Sequence, residues 1–299
     1  MRRARGNTLC GAVLVVAALC LRSAPLAAQS AGEEPATQAS QPQTALVASL
    51  QLAPETAQQL QHAVDARDFI AAEKLLLAEI DRDPHSARAA RLLAFAGTVY
   101  FLNQDFMNAA IAWKKSAAVA PLDPKLRFSL AMAYIRMGHA DWARAELQSL
   151  AALDGKAALY PYWLGRLDYD GHEYIRAIAD FQQAIALDRG TEHPSPWPYL
   201  NLGITEQFLN QPAEAEKDLR EAIRLDAGFA KAHFQLGTVL EDEQKPEAAR
   251  DELKEAARLD ASYAEPHMAL ARVYHKLGQE EPAREEVKIY LRLHPHSTP

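Results

Sequence analysis

Cysteine is nearly absent: of 299 residues only Cys10 and Cys20 are cysteines, and both lie in one apolar run near the start. A mature chain without that run has no thiol to oxidise, which suits an oxidising compartment. The chemistry-bearing motifs of enzymes are missing too. No glycine-rich phosphate loop, nucleophile elbow, paired-histidine zinc helix or calcium loop occurs. Positive charge is in short supply, with 32 Lys and Arg against 39 Asp and Glu. That balance argues against nucleic acid, whose phosphates need a basic footprint, and against adsorption to anionic lipid. Long hydrophobic runs are absent apart from Leu9 to Leu21, 13 residues. As a helix this run would cover about 20 Å of a hydrocarbon core about 30 Å thick, too little for a stable span.

The run belongs to a tripartite export signal. Arg2, Arg3 and Arg5 precede it, Arg22 closes it, and small and polar residues follow from Ala24 to Ser30. We read 1–28 as a signal peptide cleaved after Ala28, with cleavage after Ser30 as the alternative. Leu19 before Cys20 does not give the small-residue context of a lipoprotein signal. The chain is thus expected to be exported, periplasmic or secreted, and otherwise anchored in the inner membrane by an uncleaved signal. Without residues 1–28 the balance is 28 basic to 39 acidic groups. Residues 29–53 are rich in Ala, Gln, Ser, Thr and Pro and read as a flexible linker, although Leu46, Val47 and Leu50 form an apolar patch able to dock as a capping element.

What is present is a repeat of period 34. Gly97, Ala131 and Gly165 are spaced by 34, as are Gly203, Gly237 and Ala271, with one interval of 38 between the two sets. Twelve residues after each small residue stands an alanine: Ala109, Ala143, Ala177, Ala215, Ala249 and Ala283. Four further on come Trp113, Leu147, Phe181, Leu219, Leu253 and Val287, all bulky and apolar. This is the pattern of antiparallel helix pairs crossing so closely that only Gly or Ala fits, with large residues filling the flanks. Asn103-Gln104, Gly138-His139, Gly171-His172, Asn210-Gln211 and Gly278-Gln279 supply the turns, and Pro212 and Pro246 stand early in the helices that follow.

These residues resemble the tetratricopeptide repeat family, whose 34-residue helix-turn-helix unit has small residues at its eighth and twentieth positions and often proline at its thirty-second, here Pro121 and Pro295. A weaker unit with Ala72, Leu76 and Pro84 precedes the six. The resemblance spans 54–295, as repeats near 54–86, 90–123, 124–157, 158–195, 196–229, 230–263 and 264–297. It implies an all-α solenoid, a right-handed superhelix of about seven repeats in an exported bacterial protein, with the first helix of each pair lining a concave groove.

Placing first-helix residues by that register assigns Phe101, Phe128, Met132, Ile135, Tyr162, Arg166, Tyr169, Leu200, Ile204 and Phe234 to the groove. Arg272 joins them as a second charge breaking the apolar column. Aromatic anchors beside a few fixed polar groups are the composition of an interface hot spot. The expectation is a partner segment of mixed apolar and acidic character along repeats three to five. In the longer interval, Gly190, Pro194, Pro196 and Pro198 predict an extended stretch with Trp197 near the groove. Positions where some family members hold a terminal carboxylate carry Ala94, Thr98, Phe128 and Met132, so that specificity is not carried over.

Ten histidines raise a metal reading, but His233 and His267 occupy equivalent packing positions and His139, His172 and His193 lie in turns; His294 and His296 form only a loose pair. No metal, cofactor or catalytic group is assigned. The last helix carries Val287, Ile289, Tyr290, Leu291 and Leu293 on its faces, an apolar edge through which self-association is expected. The sequence therefore reads as a non-catalytic scaffold or adaptor holding a peptide or protein segment. The rival reading is an accessory subunit of an envelope machine for outer-membrane, pilus or cytochrome assembly.

Overall fold

The structure, a computed structural model, describes Val47 and residues 49–294. The signal peptide, most of the linker, Leu46, Pro295 and His296 lie outside the described residues. Among the described residues there are fourteen helices and no strand. They are α1 Pro54–Asp65, α2 Phe69–Ile80, α3 Ala87–Leu102, α4 Phe106–Val119, α5 Pro124–Arg136, α6 Ala140–Leu153, α7 Leu159–Asp170, α8 Tyr174–Asp188, α9 Trp197–Phe208, α10 Pro212–Leu225, α11 Ala230–Asp242, α12 Pro246–Leu259, α13 Glu265–Lys276 and α14 Glu280–Leu293. Each odd-numbered helix packs on the even-numbered one after it, making seven pairs.

The crossings show why the small residues recur. A Cβ added to Gly97 would lie 2.5 Å from the Trp113 indole; at Gly165 it would lie 2.8 Å from the Phe181 ring, at Gly203 2.7 Å from Leu219 Cγ, and at Gly237 2.6 Å from Leu253 Cγ. The backbone also closes in, since Ala177, Ala215 and Ala249 each bring their carbonyl oxygen to 3.2 Å of that absent Cβ. Trp113, Leu147, Phe181, Leu219 and Leu253 are fully buried. Burial of that kind stabilises by about 1.5–3 kcal/mol per side chain.

The turns within pairs share one geometry. Arg67, Gln104, Gly138, His172, Asn210, Gln244 and Gly278 each adopt the left-handed backbone conformation. The next residue donates its amide back five positions: Asp105 to the Tyr100 carbonyl at 2.9 Å, Glu173 to Asp168 at 2.8 Å and Lys245 to Leu240 at 2.9 Å. This is the Schellman closure, which satisfies carbonyls a helix end would otherwise leave open. The left-handed residue of the fourth turn is therefore His172, while Gly171 has φ −82°. Asp68 and Asp105 cap the helices that follow by accepting from the Ala71 and Asn108 amides.

The chain forms two compact units, one running to Leu153 and the other beginning at Asp154. In the first, Val47 and Leu50 are buried with Leu60, Ala72, Leu76, Leu92 and Phe95. Val47 and Leu50 thus dock on the first helices, and for these two residues the flexible-linker expectation is corrected: burying two aliphatic side chains outweighs the freedom of a tether. The second unit holds a continuous core from Leu200 and Leu219 through Phe229, Leu236 and Leu253 to Leu270 and Val273. A smaller cluster joins Ala177 and Phe181 to Leu202. The proline-rich interval departs from expectation at its end. Pro198 lies in the first turn of α9, where a missing amide proton costs nothing, and only the residues before Trp197 stay outside a helix.

Candidate partner-binding surface

Three of the expected groove residues are core. Phe101 is buried against the Phe106 and Trp113 rings, Met132 is buried within α5, and Leu200 is buried in the second unit's core, so none offers surface to a partner. Register gives the direction of a side chain but not its depth. Depth follows from the packing of the neighbouring pair, and α9 touches α11 as well as α10. Phe128 and Ile135 remain half-buried in the first unit.

In the second unit Tyr162, Arg166, Tyr169, Trp197, Ile204 and Phe234 are all half-buried. Two residues that the sequence reading passed over, Asn201 and Lys231, complete the set. Asn201 sits one turn beyond Trp197 on α9 and donates to its carbonyl at 2.9 Å. Its amide also lies 3.4 Å from the Tyr162 hydroxyl, which the Arg166 guanidinium approaches at 3.5 Å. A single hydroxyl thus ties α7 to α9. The Arg166 guanidinium stands 5.7 Å over the Trp163 ring, and Lys231 Nζ stands 5.3 Å over the Trp197 ring, which packs edge-on against buried Phe229 at 4.8 Å. Both cations therefore lie on the faces of half-buried tryptophan rings.

Burial and the nearby Arg166 charge hold the Lys231 ammonium below its ordinary pKa, partly opposed by Asp260 and Glu265. Two like charges facing one half-buried surface favour a negative group between them, and the rings beside them favour an apolar one. Arg272 behaves differently: it pairs with Glu241 at 3.1 Å, and Lys276 reaches the other oxygen of that carboxylate at 2.9 Å. Its expected role as a groove charge is corrected, because its charge is answered within the chain.

The histidines find carboxylates. His233 Nδ1 lies 2.7 Å from Glu252, and His267 Nδ1 lies 2.6 Å from Glu286, at the register where Arg127 meets Glu146 at 2.8 Å. All three pairs join residues 19 apart, from a first helix to its partner. That spacing is visible in the sequence and is the signal that would have found them. Burial alone would depress the His233 imidazole, but the hydrogen bond and charge of Glu252 override it and raise its pKa. Among the described residues no group of three or more His, Cys, Asp or Glu is placed to hold a metal ion.

Below this surface lies a buried acid. Glu206, on the face of α9 toward α10, is 5% exposed. Burial first, then the charge and hydrogen bond of Asp218, push its carboxyl up to about 8. Exposed apolar side chains also mark the turn ends, with Ile175 and Phe208 in the second unit and Met107 and Trp142 in the first. Tyr174 and Phe208 stack there at 5.6 Å, with Tyr169 edge-on to both.

Stacked helix pairs with Gly or Ala at each crossing define the class, an all-α solenoid. The tetratricopeptide repeat model matches residues 198–229 and 230–263, so the fifth and sixth pairs are tetratricopeptide repeats of that family, and the other pairs have the same fold. Solved structures share it. A tetratricopeptide repeat protein from Parabacteroides merdae is 16% identical with a TM-score of 0.63, over 80% of this chain and 92% of that one. PilF of Pseudomonas aeruginosa is 18% identical with a TM-score of 0.59, over 70% and 93%. A chain of the APC/C hetero-tetramer Cut9–Hcn1 is 18% identical with a TM-score of 0.58, over 86% and 49%. At these identities the likeness is one of fold. No curated protein matches by sequence.

Proposed function

We propose that this protein is a non-catalytic adaptor that holds an acidic, apolar segment of a partner protein on the surface of α7, α9 and α11. The observation that carries the reading is the pair of cations, Arg166 and Lys231, laid over tryptophan rings beside Tyr162 and Asn201. Solenoids bind through extended surfaces of this kind, and contacts along successive repeats select the partner. The other half-buried groove residues, Tyr169, Ile204 and Phe234, supply apolar contact on either side. The leader-like start of the sequence supports export to the periplasm or beyond the cell, where such an adaptor would bring envelope components together.

The test uses synthetic peptides of alternating Glu and Leu, with Lys-and-Leu peptides as the control, titrated by fluorescence anisotropy. The acidic peptide is expected to bind and the basic one not. Tyr162→Ala combined with Arg166→Glu should weaken binding at least about tenfold, as loss of an anchor and reversal of a charge at one interface would. Equal binding of both peptides, or unchanged binding by the folded double variant, would overturn the assignment.

A further inference from the structure

Three residues beyond each crossing, the first helices carry Tyr100, Tyr134, Asp168, Glu206, Leu240 and Tyr274. In this register Tyr134 meets the second helix of its own pair, its ring 5.4 Å from that of Trp142, whereas Tyr100 donates to Glu73 of the preceding pair. Asp168 is also buried, but Arg176 stands 3.4 Å from it. Glu206 has no such cation. Its Oε2 is buried and meets no hydrogen-bond donor, while its carboxyl shares a hydrogen bond with the Asp218 carboxyl on α10. Two carboxyl groups bond to each other only through a proton, so one of this pair has to keep it.

We propose that Glu206 and Asp218 form a proton-sharing carboxyl pair that holds α9 against α10, and that loss of the shared proton loosens this helix pair and the partner surface that α9 carries. The last clause rests on the function proposed above. The groups facing the pair from α10 are Glu214 and Glu221, which add negative charge, and Lys217, which opposes it. Groups on the other helices packed against α9 are engaged elsewhere. Asp168 of α7 pairs with Arg176 of α8, and on α11 His233 pairs with Glu252, Glu241 with Arg272 and Lys276, and Asp242 accepts from Gln207. Arg166 of α7 and Lys231 of α11 lie over the Trp163 and Trp197 rings, and the cation that acts on Glu206 is Lys217 of α10.

The sign follows from linkage. A carboxyl that holds its proton more tightly folded than unfolded stabilises the fold fully at low pH, and that stabilisation is lost as pH rises through the folded value. Ionisation here leaves two adjacent carboxylates in a buried site, and helix separation lets water reach them.

Hydrogen exchange read by mass spectrometry from about pH 6 to about pH 9, corrected for the intrinsic pH dependence of exchange, tests this on the full chain without a partner. Protection of α9 and α10 should fall at least about tenfold across that range relative to α13 and α14, and Glu206→Gln should remove most of the fall. His233 loses its proton in the same direction, so the difference between wild type and Glu206→Gln isolates the carboxyl pair. Asp218→Asn carries the same readout should Glu206→Gln not fold. Protection that does not fall, or falls equally in both variants, overturns the pair. The Glu-and-Leu peptide gives a separate arm. Weaker binding at high pH in wild type but not in Glu206→Gln supports the link to the partner surface. Unchanged binding alongside pH-dependent exchange overturns that link alone.

Discussion

Gly97 shows at the residue scale how a single hydrogen atom sets a helix crossing. A methyl there would lie within 2.5 Å of the indole of Trp113, whose Nε1 donates to the Ala94 carbonyl at 3.0 Å and which is fully buried. The ring has no open side into which to retreat. Gly97→Ala gains about 1 kcal/mol in helix propensity but meets an overpacking cost of about 1–3 kcal/mol, and the loss of the Trp113 hydrogen bond tips the balance. Urea denaturation should therefore show a net loss of stability of about 1–2 kcal/mol. In the third pair the small residue is Ala131, itself fully buried, and Ala131→Gly should cost about 1 kcal/mol through backbone entropy. The two substitutions run in opposite chemical directions and both should destabilise; a stabilised Gly97→Ala would mean that the crossing is looser than the structure shows.

At the scale of the element, the turn joining the two helices of a pair is the same device seven times over, yet two turns use glycine at the left-handed position and five use Arg67, Gln104, His172, Asn210 or Gln244. A side chain in that conformation costs about 1 kcal/mol or more, least for asparagine. Gln244 has φ 59°, lies between α11 and α12, and is exposed. Gln244→Gly should stabilise the chain by about 0.5–1 kcal/mol, the relieved strain exceeding the extra entropy of an unfolded glycine. Thermal unfolding checks it: a lower midpoint would mean that the Gln244 side chain contributes more than its backbone costs. The sequence marks five of these turns, at Asn103-Gln104, Gly138-His139, Gly171-His172, Asn210-Gln211 and Gly278-Gln279. It marks none at Arg67 or Gln244, because a long polar side chain carries no turn signal and only the Schellman hydrogen bond forces the conformation.

At the scale of the whole molecule, the described residues contain no helix long and apolar enough to cross a membrane. The export reading therefore concerns Arg2 to Ser30 alone and is a proposal. Expressed with its own leader in a bacterial host, the full chain should appear in the osmotic-shock fraction with a mature N-terminus at Gln29, as read by Edman sequencing or mass spectrometry. A full-length chain retained with the cytoplasm would sink it, and a full-length chain in the membrane fraction would favour the uncleaved anchor. Within the second unit each pair packs on the next, so its core runs from pair to pair through residues such as Phe229, which packs under Trp197. The partner surface is built the same way, with α7, α9 and α11 giving a few side chains each.

The sequence by itself determined the repeat. A 34-residue period with glycine or alanine at one crossing and a bulky residue sixteen positions on is a local rule, legible because every pair must obey it to pack. Depth and partnership were decided by tertiary structure. Phe101, Met132 and Leu200 share their register with half-buried residues and are nonetheless buried, and Arg272 meets Glu241 across the boundary between two pairs. Asn201 and Lys231 were missed because nothing in their identity marks them until Tyr162 and Trp197 are brought alongside. Glu206 is the same lesson in reverse. An acid in an amphipathic helix reads as solvated surface, and only the packing of α9 on α10 places it where a carboxyl has to keep its proton.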